Sequence, residues 1–246
     1  MMERTLYISH GDKGGVGKSY LSMLAVEYLL QFGPVSMVEA DPTQPDLGVR
    51  YMGLDNVTVG ALPLNKAGDA ENALSAFGEM METTNADLVV VNLPAGAGET
   101  LDSTADMIRD LSDALEYRLI VTYALEKNRV ASDALIRSMA KGLLSVVDTD
   151  KRFVAYPEYK GKVETFDWYN RVERATAEIG ELIVPALGNR SALTKLEATR
   201  GRVSELIDKS NCPEGWWVLD QSSVFRWYQA GIAAVAPIFS SEVNDG

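Results

Sequence analysis

Hydrophobic and polar positions along the chain fall into two alternating patterns. Short runs that are mostly apolar, β-branched or aromatic recur at residues 5–9, 35–39, 88–92, 118–122 and 153–156, with a further run at 216–219. Each predicts a strand. Between them, "KSYLSMLAVEYLLQFG" sets Leu21, Leu24, Ala25, Tyr28 and Leu29 at helical spacing and stops at Gly33-Pro34. Helical patterns also cover 70–82, 104–115, 129–147, 168–182 and 191–209. Strands that are apolar on both faces and alternate with helices need cover on both sides. The expected fold is therefore α/β: a doubly wound, mostly parallel sheet flanked by helices on both faces.

The chain carries no internal repeat, low-complexity tract or linker rich in Pro, Gly and Ser. Its 246 residues, 46% hydrophobic, suit one domain over 1–240, and the polar "SSEVNDG" predicts a disordered tail at 241–246. The net charge of −12 repels phosphate at long range and argues against a general nucleic-acid or anionic-membrane coat. One cysteine, Cys212, and no charged-then-apolar leader before the first strand lead to the expectation of a cytoplasmic protein. The apolar "AGIAAVAPIF" is too short to span a bilayer and holds Pro237, so membrane insertion is not expected. The only histidine, His10, cannot assemble a histidine metal site or a Ser-His triad.

Chemistry concentrates in "HGDKGGVGKSY", residues 10–20, which lies between the first strand and the first helix. Gly14, Gly15 and Gly17 let the backbone curl so that successive N–H groups point inward, and the helix beginning at Lys18 adds unpaired donors and its dipole. This is a cradle for a polyphosphate. Lys18 would neutralise the β- and γ-phosphates, and the Ser19 hydroxyl would ligate a bridging Mg²⁺. Asp12 stands where the plain loop has glycine, and its carboxylate must face solvent or a cation to tolerate the phosphates.

"KGGVGKS", Lys13 to Ser19, resembles the deviant Walker A motif of the ParA/MinD family of P-loop ATPases. The resemblance runs over about residues 4–206. It implies ATP and Mg²⁺ as cofactors, with Gly14, Gly15, Val16, Gly17, Lys18, Ser19 and Tyr20 around the nucleotide. It also implies that Lys13 reaches across a two-fold homodimer to the partner's nucleotide. In "VEADPTQPDLG", Asp41-Pro42 resembles switch I, which makes Asp41 the residue that orients the attacking water and touches the metal shell; Glu39 stands where an aspartate is common. "LVVVNLPAGAGET" resembles switch II, with Gly96 as the pivot that meets the γ-phosphate. Asn92 occupies the usual Walker B aspartate position; its oxygen can accept from a metal-bound water but lacks the charge. Around "VPALGNRSALTKLEATRGRVSEL", Pro185 and its neighbours correspond to the adenine pocket.

"GDKGGVGKS" with "YPEYKGKVETFDWYN" is most similar to the plasmid-borne StbB/TraL branch. That likeness implies a nucleotide-switched ATPase acting in plasmid partition, DNA positioning or conjugative stability, through a partner protein from the same operon that links it to DNA. Lys195, Arg200, Arg202 and Lys209 offer one basic face for direct nonspecific DNA contact, with a solvated helix face as the alternative. The segment "VFRWYQAGIAAVAPIF" reads as core or dimer packing. Two other classes stay open: an ATP-binding module with little or no hydrolysis, motivated by Asn92 and Asp12, and a metabolic ATP-dependent ligase of the same fold, against which Lys13 argues. Cys212 alone cannot supply the paired thiolates of an iron-sulfur bridge.

Overall fold

The computed structural model describes residues 2–11, 13–40, 45–62, 70–84, 86–210 and 212–240. Asp12, Asp41 and the expected tail 241–246 lie outside the described residues.

Among the described residues, seven strands form one sheet: β1 (Thr5–His10), β2 (Val35–Glu39), β3 (Val57–Ala61), β4 (Leu88–Asn92), β5 (Arg118–Ala124), β6 (Arg152–Pro157) and β7 (Gly180–Val184). Their order is β3-β2-β4-β1-β5-β6-β7. Every pairing is parallel, as strands without hairpin turns between them require. The helices are α1 (Lys18–Leu29), α2 (Asp46–Tyr51), α3 (Ala70–Thr84), α4 (Gly98–Ser103), α5 (Ala105–Ala114), α6 (Arg129–Lys141), α7 (Arg190–Ala198), α8 (Val203–Leu206) and α9 (Val218–Phe239).

Alternate strand residues feed two separate cores. Tyr7, Met37 and Val90 point to a layer built by α1, α2 and α7 to α9. Leu6, Ile8, Val38, Val89 and Val91 point to a layer built by α3 to α6 and the turns around Phe166 and Trp168. The doubly wound expectation is met: β1, β2 and β4 are buried on both faces because each face has its own helices, while the edge strands β3 and β7 stay partly exposed.

α1 is buried along nine of its twelve residues. It lies between the sheet and α9, so its sequence is apolar on nearly every side. Phe239 near the end of α9 stacks on Tyr28 at 5.3 Å, and Gly231 lets α9 close onto Leu24. The C-terminal segment is thus core packing within the chain.

Several sequence expectations are corrected. The run 216–219 is not a strand: Val218 opens α9, and the Asp220 carboxylate accepts the Trp217 N–H at 3.0 Å and caps the helix. Burial of Val224, Trp227, Tyr228, Val235 and Ile238 against α1 outweighs the strand preference of Trp-Trp-Val-Leu. Residues 168–182 form short 3₁₀ turns and then enter β7. There Trp168 and Arg174 both donate to Glu181, folding the segment back over the strand. The helix expected over 191–209 breaks after α7, where Arg50 takes the carbonyls of Leu196 and Gly201. The one expected over 129–147 ends at Lys141, because Asp102 accepts the Leu143 N–H and redirects the chain into a 3₁₀ turn. Strand β3 and helices α2 and α4 were not foreseen.

A Cβ at Gly231 would sit 2.5 Å and 2.8 Å from the Leu24 methyl carbons. Gly231→Val is expected to cost about 1–3 kcal/mol through overpacking, measured as a lower urea midpoint at unchanged slope.

Candidate functional site

β1 runs between β4 and β5 and delivers the chain to the carboxyl edge of the sheet at His10. The loop must then double back within a few residues to start α1. Gly17 makes that possible: it caps α1 at φ 97°, in the left-handed region closed to most side chains. Gly15 also has positive φ, and Gly14 passes so close to Ala95 that a Cβ would lie 3.3 Å from it.

Lys18, only 6% exposed, bends back over the loop and donates from Nζ to the Lys13 carbonyl at 2.8 Å. Its backbone carbonyl accepts the Ser9 hydroxyl at 3.1 Å, which fastens the first turn of α1 to the strand beneath it. Ser19 is exposed beside it. Together with an α-helix of twelve residues, the loop presents backbone donors and an ammonium to one cleft of about 500 Å³.

Gly14, Gly15, Gly17, Lys18, Ser19 and Tyr20 all line this cleft. Val16 turns its side chain into the core, 2% exposed. Tyr20 donates to Glu197 at 2.7 Å, and burial pushes its phenol well above the ordinary value. Lys13 is half-buried and outside the lining. Its charge reaches Glu126: burial would raise that carboxyl, but the bonds from Lys160 and the Lys127 N–H, with the charges of Lys160 and Lys13, hold it below the usual range. Gly96 sits just before α4 at φ 81°, and its neighbour Ala95 is the residue that reaches the cleft. Pro185 lines a separate hollow of about 500 Å³ with Glu158, Asn189 and Trp227, and its carbonyl accepts the Trp227 indole N–H at 2.9 Å.

Three sets of contacts around the cleft escaped the sequence reading. Tyr159 donates to the Gly15 carbonyl at 2.5 Å and lies along the cleft; burial and the charge of Glu126 push its phenol up to about 12. The signal was an aromatic residue in a short loop after a strand, "YPEYKG". Arg50 forms another wall, its guanidinium lowered by burial while it holds the end of α7 in place. Beneath the loop, Glu39, Asn92 and Ser9 stand side by side in register across β2, β4 and β1. Asn92 donates from Nδ2 to Glu39 Oε1 at 2.9 Å, and the Gly48 N–H donates to Oε2 at 3.1 Å. Asn92 Oδ1 is buried and has no hydrogen-bond partner among the described residues. No group of three His, Cys, Asp or Glu side chains poised for a metal occurs among the described residues.

On the other face, His10 ties the start of the loop to α4. Its Nε2 lies 3.2 Å from Asp102 Oδ1, which also accepts the Ser138 hydroxyl at 2.7 Å and the Leu143 N–H at 2.8 Å. Burial would raise the Asp102 carboxyl, but the bond and charge from His10 and the other two donors hold it below the ordinary carboxylate range. Of the basic face expected for DNA, Lys195 is paired with Asp220 at 2.5 Å.

No family model matches the chain. Protein MobD of Acidithiobacillus ferrooxidans is 22% identical over 177 residues, which are 72% of this chain and 73% of that protein. Among solved structures, the MinD cell division protein of Aquifex aeolicus superposes with a TM-score of 0.52 at 13% identity, covering 96% of this chain and 94% of that one. The two share their fold, a parallel sheet with helices on both faces. Among the described residues no helix is long and apolar enough to cross a membrane.

A depressed carboxyl stabilises the fold above its unfolded value and loses that contribution as pH falls through the folded value. Asp102→Asn is therefore expected to cost about 1–3 kcal/mol at pH 7. The difference from the parent should close as pH drops through and below the carboxylate range, read from urea midpoints between pH 7 and pH 3.

Proposed function

We propose that this chain is a cytoplasmic, Mg²⁺-dependent ATP switch that closes as a homodimer around nucleotide. Its role is in plasmid DNA partition, positioning or conjugative stability, through a partner protein that links it to DNA. The observation that carries the reading is the loop itself: Gly14 to Ser19 curls at the start of a buried twelve-residue helix, with the Lys18 ammonium folded over it. Such an arrangement binds the β- and γ-phosphates by charge and by oriented N–H groups. The likeness to MobD and to the MinD fold supports the same direction.

The residues fit a magnesium ion. The Ser19 hydroxyl would bind it directly, the orphaned Asn92 Oδ1 suits a water in its shell, and Asp41 is the further oxygen donor proposed from sequence. When bound, the ion would neutralise charge on the transferred phosphoryl. Around it the chain's own groups position: Lys18 holds the phosphates, Gly96 lends the γ-phosphate an N–H, Tyr159 braces the loop, and the hollow at Pro185 takes the base. Lys13 lies outside the cleft of its own chain, as a lysine serving the partner's nucleotide would. Direct DNA contact is disfavoured by the net charge of −12 and by the pairing of Lys195 with Asp220. A nucleotide-binding module that turns over little ATP is the second reading, favoured by an amide at position 92 where hydrolysing sites use an acid.

Light scattering should show a monomer alone and a dimer with ATP and Mg²⁺; a monomer under both conditions overturns the sandwich. Lys13→Ala should bind a fluorescent ATP analogue as the parent does yet stay monomeric. Lys18→Ala should lose roughly 10- to 100-fold in affinity, the value of a charged hydrogen bond.

A further inference from the structure

The site's buried acid stands on β2 rather than on β4. Glu39, 4% exposed, and Asn92, 2% exposed, end adjacent parallel strands and face the same side of the sheet as α1. A carboxylate only accepts hydrogen bonds, whereas a carboxamide has one donor end and one acceptor end. With Oε2 engaged by the Gly48 N–H and Oε1 by the amide, Glu39 compels Asn92 to turn Nδ2 toward β2. The oxygen must then turn away from Glu39. That oxygen is buried and has no hydrogen-bond partner among the described residues.

We infer that Glu39 is a positioning residue for the metal site: it fixes the Asn92 side chain in the one orientation that presents Oδ1, and not an N–H₂, to the hydration shell of a nucleotide-bound divalent cation. The negative charge that an aspartate at position 92 would supply is held one strand away, and the two residues act as one acid-amide unit. This inference rests on the Mg²⁺-nucleotide reading above.

The pairing reverses a simple expectation. Asn92→Asp does not repair the site, because it sets two carboxylates 2.9 Å apart in a buried place, where like charges repel strongly. Exchanging the two groups should work instead, since a glutamine at 39 can donate to an aspartate at 92 while its oxygen still accepts from Gly48.

The test uses the full chain and measures two quantities separately: ADP affinity in EDTA by calorimetry, and Mn²⁺ affinity at saturating ADP by paramagnetic resonance. Failure of the parent to bind ADP would refute the nucleotide reading itself. With ADP bound, Glu39→Gln should weaken Mn²⁺ by about tenfold or more, because its amide can pair with Oδ1 and let Asn92 flip. Glu39→Asp, which keeps an acceptor-only partner, should retain more of the Mn²⁺ affinity. Asn92→Asp should lower the thermal midpoint without tightening Mn²⁺. Glu39→Gln with Asn92→Asp should recover the midpoint and bind Mn²⁺ at least as tightly as the parent. Unchanged Mn²⁺ affinity in Glu39→Gln, or double-variant effects that simply multiply those of the single variants, would overturn the inference. Should a single variant fail to fold, the side-chain amide resonance of Asn92 in the parent decides the matter: slow exchange is expected of an N–H₂ locked on a buried carboxylate, and rapid exchange contradicts it.

Discussion

The site depends on the burial of β1. That strand lies between β4 and β5 with helices on both faces, so its end can emerge only at the carboxyl edge of the sheet. α1 must begin there too, because its apolar residues are needed against the sheet and α9. The chain therefore reverses within a few residues, and only a backbone with left-handed positions at Gly15 and Gly17 can do so. Unpaired N–H groups at the start of a buried helix are the outcome, and they create the demand for an anion.

Polar groups placed under that turn obey the rule that a buried donor or acceptor needs a partner. Ser9 meets the carbonyl of Lys18, and Glu39 meets Asn92 and Gly48. Asn92 Oδ1 is an exception among the described residues, and it belongs to the residue that sequence alone marked as a departure. An orphaned acceptor beneath the glycine loop is a cost to folding that a bound water or cation shell would relieve.

The turn is also anchored from its two sides by different elements. Tyr159 and Arg50 shape the cleft from the loop after β6 and from α2, and Arg50 does so by binding the carbonyls that end α7. On the opposite face His10, Asp102, Ser138 and Leu143 join the strand before the loop to α4 and to the end of α6. Asp102 of α4, which follows Gly96, thus links His10 at the start of the loop to the buried Ser138 of α6.

Local signals determined much of this protein. The apolar runs of five strands, the period of α1 and the glycines between them set out the βαβ order and the cradle, because burial periodicity and left-handed turns are properties of short segments. The run at 216–219 and the segment 168–182 misled for the same reason: their local preference was read correctly and then overruled by packing on α1 and by the bonds to Glu181. The glycines of "DKGGVGK" were legible as a tight left-handed turn, and Asn92 as an anomaly. What made the anomaly intelligible was tertiary. Glu39 and Asn92 are 53 residues apart in sequence and meet only through parallel register between β2 and β4. A hydrogen bond between strand ends depends on strand order, which no local pattern specifies.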